Sequence, residues 1–170
     1  MLREHLDAFT WIYKEMKGVH PLFFTHHIYI KEGWKPLCQL ERRMNPALKD
    51  ILKEELKKLL DAKFIYPILD SEWVSPLVLV LEKNGKWRIC VDYKELKKDT
   101  KKDHFPLPFI YQDLDSIVGK KFFSFLDGFS GCNQIQINLE DQDKTTFTCP
   151  WGTFCYRARP FYLLNFPTTF

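Results

Sequence analysis

Two runs rich in β-branched and aromatic residues, SPLVLVLEK and KWRICVDY, meet at Asn84–Gly85. Asn–Gly between such runs is the strongest short-range signal for a hairpin, because a type I′ turn needs positive φ at both central positions. Along the second run Trp87, Ile89 and Val91 alternate with Arg88, Cys90 and Asp92, giving one buried face and one more polar face. Arg88 therefore points away from the side that Trp87 occupies. No other stretch restricts the fold as tightly.

The hairpin follows a helix signal. In NPALKDILKEELKKLLDAKFI, Asn45 is a natural N-cap and Pro46 suits the first helical position. Leu48, Ile51, Leu52, Leu56, Leu59 and Leu60 recur at helical spacing, so the segment lays an apolar stripe on a core. Its lysine-rich outer face reads as solvated surface, and a break is expected at Tyr66–Pro67. Residues 1–44 lack periodicity and read as an irregular arm or linker with one short helix near Leu6–Met16. The charged stretch KELKKDTKKDHFPLP reads as a connector, followed by a short helix around Ile110–Val118.

In KKFFSFLD, Phe123 and Phe125 share a face with Asp127 while Phe122 and Leu126 take the other, the pattern of a central strand. NQIQINL alternates strictly, and TTFTC and GTFCYRAR supply further short strands. Strands and helices do not alternate regularly, so an α+β domain on an antiparallel sheet is expected. The length, 170 residues, suits one domain or one and a piece, and 45% hydrophobic with 16% aromatic residues marks a globular chain.

A net charge of +3 announces no strong nucleic-acid field. The five cysteines are odd in number and never fall as CxxC, which excludes a disulfide framework and a zinc ribbon and points to a reduced, intracellular, cytoplasmic protein. No run approaches the roughly 20 apolar residues of a membrane span. His26–His27 with Cys38 finds no fourth metal ligand at useful spacing.

The acid in FLDGFSGCNQI carries the chemistry. Asp127 ends an apolar run and is followed by a glycine-containing turn, an arrangement suited to a magnesium–phosphate site: carboxylate oxygens for the ion, backbone N–H groups for the phosphate. Gly128 and Gly131 would let a bulky ligand approach. An acid capping a turn or helix start fits the spacing equally well.

From about Trp11 to Phe170 the chain resembles the protease–polymerase junction and reverse transcriptase of gypsy-type LTR retrotransposons. The resemblance runs in order through MKGVHPLFFTHHIYI, NPALKDILKEELKKLLDAKFIYPILDSEWVSPLVLV, KNGKWRICVDYKELKKDTKKDHFPLPFI, FSFLDGFSGCNQIQINLEDQDKTTFTCPWGTFCYRARPF and NFPTTF. It implies a right-hand polymerase fold: residues 1–44 as the junction arm, and 45–170 as fingers and an incomplete palm. Asp127 matches the first of the family's three metal-binding aspartates, with the Gly128 carbonyl as a further ligand of Mg2+ or Mn2+. Lys83 and Arg88 match residues that grip the incoming triphosphate. Gly128, Phe129, Ser130, Gly131, Cys132 and Phe161 match the segments lining the nucleotide. The implied partners are an RNA/DNA template-primer, a dNTP, and the protease, RNase H and integrase of a full polyprotein, with no membrane.

Without the resemblance, Lys83 reads as a solvated loop lysine and Arg88 as the ion-pair partner of Asp92 or Glu82. Trp73, Pro76, Trp87 and Tyr93 read as packing, whereas Phe154, Tyr156 and Arg157 suit either a template strand or the core.

The chain departs from the family at three places. Cys132 stands where an aromatic, mostly tyrosine, excludes the 2′-hydroxyl. Pro160–Phe161–Tyr162–Leu163 replaces a Pro-Phe-Gly-Leu block, which would force positive φ on a bulky residue if the turn needs glycine. No aromatic-x-Asp-Asp element occurs, and Glu140, Asp141 and Asp143 read as solvated loop charges. The expectation is a polymerase fragment truncated before the Asp-Asp hairpin and inactive alone. A non-catalytic nucleic-acid-binding module using Lys97, Lys98, Lys101, Lys102, Lys120 and Lys121, or a relic of a decayed retroelement, is the alternative.

Overall fold

A computed structural model describes residues 4–5, 9–83, 85–104, 109–123 and 128–165. Among them, helix α1 spans Pro46–Asp61, α2 Lys94–Asp99 and α3 Ile110–Ile117. The strands are β1 (Ile65–Pro67), β2 (Ser75–Leu81), β3 (Trp87–Val91), β4 (Phe147–Cys149) and β5 (Gly152–Tyr156). They form one sheet in the order β1-β5-β4-β2-β3. Pairing is antiparallel except between β2 and β4, where Ser75 faces Phe147 and Pro76 faces Thr148 in parallel register. The architecture is α+β with a mixed sheet.

Helix α1 starts where its sequence says: the Asn45 side chain accepts a hydrogen bond from the Ala47 N–H at 3.0 Å, with Pro46 beginning the first turn. It stops at a Schellman-type cap, with Phe64 N–H donating to Leu59 O and Lys63 N–H to Leu60 O. Lys63 takes the left-handed conformation usual for glycine, φ 59°. The cap turns the chain back so that Phe64 is buried and Ile65 enters β1 opposite Tyr156. The expected break at Tyr66–Pro67 is thus a short edge strand, where proline costs little. Leu52 and Leu56 bury completely against β3 and β1, joining Leu77, Val91, Tyr93, Phe147 and Tyr156 in the core.

Several expectations need correction. The Asn–Gly hairpin exists, but its connection covers residues 82–86, since Leu81 pairs with Trp87. Gly85 N–H donates to Glu82 O, and Gly85 has φ 79°. The charged connector contains α2, because Leu96 docks in the core at 2% exposure and supplies the tertiary packing that a six-residue helix needs. Among the described residues of 1–16 there is no α-helix: Tyr13–Glu15 forms a 3₁₀ turn, and Glu4 and His5 are 3₁₀ as well. In KKFFSFLD, Phe122 and Phe123 are exposed and outside any strand; residues 124–127, Asp127 included, lie outside the described residues.

NQIQINL keeps its alternation, with Ile135 and Ile137 buried, yet it forms no ladder. A 3₁₀ turn occupies Gly131–Gln134, and only isolated bridges follow, Gln136 to Ala158 and Ile137 to His26. Its neighbour on one side is the irregular arm, which offers single contacts: His26 N–H to Gln136 O and Asn138 N–H to His26 O. The arm is further pinned at Lys31 to Asp99 O and at Gln39 to Val74 O.

Asp141 is not a solvated charge. It is 6% exposed, accepts the Ile28 N–H at 3.0 Å, and pairs with Lys144, which also donates to Ile28 O. A buried carboxylate with such partners anchors the arm. Glu140 is exposed, as expected.

Leu52→Ala should lower unfolding free energy by about 2–5 kcal/mol, read as a lower urea midpoint at unchanged slope. Lys53→Ala, on the exposed face of the same turn, should change it by less than about 0.5 kcal/mol.

Candidate functional site

A cleft of about 1150 Å³ opens between α1, β3 and the segment 128–133, with Pro160 and Phe161 along one side. Of the residues singled out in the sequence, Arg88, Gly128, Phe129, Ser130, Gly131, Cys132 and Phe161 all line it. Lys83 does not: it is exposed on the hairpin connection, while Lys86 lines the cleft instead. Asp127 lies outside the described residues.

Arg88 is the exposed cation of β3 in this space, and the buried Ile89 and Val91 of the same strand also reach the cleft wall. The guanidinium sits 5.0 Å from the Phe161 ring centroid, and its Nη2 is 2.7 Å from Glu82 Oε1. Glu82 is thus the ion-pair partner; Asp92, the other candidate, pairs with Arg42 at 2.6 Å.

The glycine-containing turn departs from its expected design. Positive φ falls on Ser130, at 48°, not on Gly128 or Gly131. Gly131 N–H donates to Gly128 O at 3.0 Å and Asn133 N–H to Ser130 O at 2.8 Å, so these amides close the turn on itself. Asn133 also donates to Ser130 Oγ, and Gln134 to Phe129 O. The result is a stiff wall. Tyr13 from the arm packs against both Phe129 and Phe64, tying the wall to the end of α1. Nothing in the arm's sequence announced that contact.

Cys132 is buried beneath the wall at 4% exposure. Burial pushes its thiol upward, opposed by the neighbouring Arg159 guanidinium. Arg159 is fully buried and also faces His26. Phe154 and Tyr156 are core residues, Trp73, Pro76 and Tyr93 are buried packing, and exposed Arg157 stacks 5.1 Å over Tyr66. Tyr162 adopts φ 70°, the left-handed conformation expected of the family's glycine, with its exposed ring 5.7 Å from Lys97 Nζ. Among the described residues no group of three or more His, Cys, Asp or Glu could hold a metal ion. The Gly128 carbonyl retains a second lone pair beyond its bond from Gly131.

No family model matches the chain. A retrovirus-related Pol polyprotein from transposon 412 of Drosophila melanogaster is 32% identical over 149 residues, covering 84% of this chain and 11% of that protein. The enzymatic polyprotein of carnation etched ring virus is 35% identical over 130 residues, 74% of this chain and 20% of that protein. The prototype foamy virus protease–reverse transcriptase superposes with a TM-score of 0.71 at 25% identity, over 83% of this chain and 19% of that one. The chain belongs to the retroelement reverse transcriptases. It spans a tenth to a fifth of the length of the curated relatives it matches.

Within this reverse-transcriptase segment, buried polar groups continue from Cys132 through Arg159 to His26. His26 is 3% exposed and its pKa is lowered to about 4, chiefly by burial and then by Arg159, against the pull of Asp141. The unfolded chain takes up this proton near the ordinary value of 6.5, while the folded chain refuses it until about 4. Stability that is complete above pH 6.5 should therefore fall by on the order of 3 kcal/mol as pH drops to 4. NMR of the His26 ring at pH 5.5 should report a neutral imidazole; a protonated one refutes the assignment.

Proposed function

We propose that this segment is the fingers and part of the palm of an RNA-directed DNA polymerase of gypsy type, and that its cleft receives the triphosphate of an incoming nucleotide. The observation that carries the reading is Arg88: a permanent cation on the hairpin, facing the Gly128–Cys132 wall across the cleft and stacked on Phe161. Such a group suits a polyphosphate whose charge grows as pyrophosphate leaves. Lys86 adds a second cation from the same hairpin. Asp127 follows as the ligand of a magnesium or manganese ion, with the Gly128 carbonyl beside it; the ion would draw charge from the phosphates.

The foamy viral protease–reverse transcriptase has been captured with dsDNA and with an RNA/DNA hybrid, at 20–21% identity to this chain. By analogy of fold, a template-primer is the proposed partner here, and protease, RNase H and integrase the proposed companions in a polyprotein. No described helix is long and apolar enough to cross a membrane.

The 170 residues hold no Asp-Asp pair to complete the metal site. One carboxylate with a carbonyl supplies too few oxygens for two divalent ions. Primer extension with magnesium or manganese should give no product from this chain alone; incorporation that Asp127→Ala abolishes would overturn that account. A labelled RNA–DNA hybrid should be retarded at low salt and released as salt rises, since phosphate contacts carry the affinity.

A further inference from the structure

Arg88 does not wait in the cleft as an open cation. Its guanidinium is already claimed on one side by Glu82, with Nη2 to Oε1 at 2.7 Å, and on another by the Phe161 ring at 5.0 Å. Glu82 directly follows β2, Arg88 lies on β3, and the two close the base of the 82–86 connection, where Glu82 N–H also bonds Lys86 O at 2.8 Å. The carboxylate and the cleft therefore compete for one cation.

We propose that Glu82 is a positioning residue that stands in for phosphate: in the ligand-free chain it holds Arg88 over Phe161, and an entering polyphosphate must displace it. The inference rests on reading the cleft as a triphosphate site. Two features favour exchange over a fixed structural pair. Both side chains keep contact with water, at 29% and 47% exposure, so the pair is weak and breaks readily. The planar fork of Arg88 offers several donors, and a phosphate replacing Glu82 preserves the stack on Phe161. Glu82 also lines the cleft itself, so its charge repels any anion that arrives. Its presence lowers affinity while keeping Arg88 preorganised.

The test is calorimetric titration of the full chain with inorganic tripolyphosphate, alongside NMR of the Arg88 Nε–H resonance. Glu82→Gln should bind about two- to fivefold tighter, matching the small worth of an exposed pair, and Glu82→Asp should restore wild-type affinity. Glu82→Ala is a second variant with the same expected direction as Glu82→Gln. The Arg88 resonance should move in Glu82→Gln without ligand, and in the wild type only on adding tripolyphosphate. Arg88→Ala should bind at least about tenfold more weakly. If Arg88→Ala weakens binding but neither Glu82→Gln nor Glu82→Ala strengthens it, the competition is refuted and the triphosphate reading stands. If Arg88→Ala binds like wild type, or no variant binds, the triphosphate reading falls and takes this inference with it.

Discussion

The structure hangs on the short parallel pairing between β2 and β4. Ser75 and Pro76 opposite Phe147 and Thr148 join the hairpin, built from residues 75–91, to strands more than fifty residues later. Ser75 N–H to Thr146 O, at 2.9 Å, extends the seam. Phe147 is fully buried at this junction, stacking on Phe154 and tilting against Tyr156. Because the join is long-range, it must be bought by burial rather than by local propensity. The cleft exists because this seam holds β3 across from the segment ending at Phe161.

Polar groups reinforce the seam from beneath. Tyr93, buried at the start of α2, donates to Thr145 O, and the Thr145 hydroxyl accepts from Tyr156 N–H while donating to Gln142 O. Asp141 fastens the arm through Ile28 and Lys144. Each of these groups would be costly if left without partners in the interior. Together they explain how a segment as irregular as 17–40 is fixed on the body.

Local signals were legible wherever local physics decides. The Asn45 cap, the leucine stripe of α1, the alternation of β3 and the short strands β4 and β5 each announced themselves, as did helix α3. The hairpin was legible too, though the length of its connection was not, because pairing register depends on what both strands bury. NQIQINL showed its buried face correctly and misled about its ladder, since its neighbours at His26 and Ala158 each pair with it at a single bridge and periodicity does not set how far pairing extends. The acidic run at 140–143 looked solvated because nothing nearby in sequence reveals that Asp141 meets Ile28. The assembly of the cleft from Arg88, the Gly128–Cys132 turn and Phe161 followed from family likeness and Glu82 was one of two partners the sequence offered for Arg88, whereas Tyr13 and Lys86 entered only through tertiary placement.

Tyr162 shows which of two memories a fold keeps. The backbone there retains a bend natural to a residue without a Cβ, although an aromatic ring now has to live in it. Neighbouring chain, fixed by the buried Arg159 before it and Leu163 after it, imposes the bend regardless of occupant. The ring escapes outward toward Lys97 on α2. A bulky exposed ring therefore stands next to Phe161, which lines the cleft, and it is placed there by the course of the backbone rather than by any packing of its own.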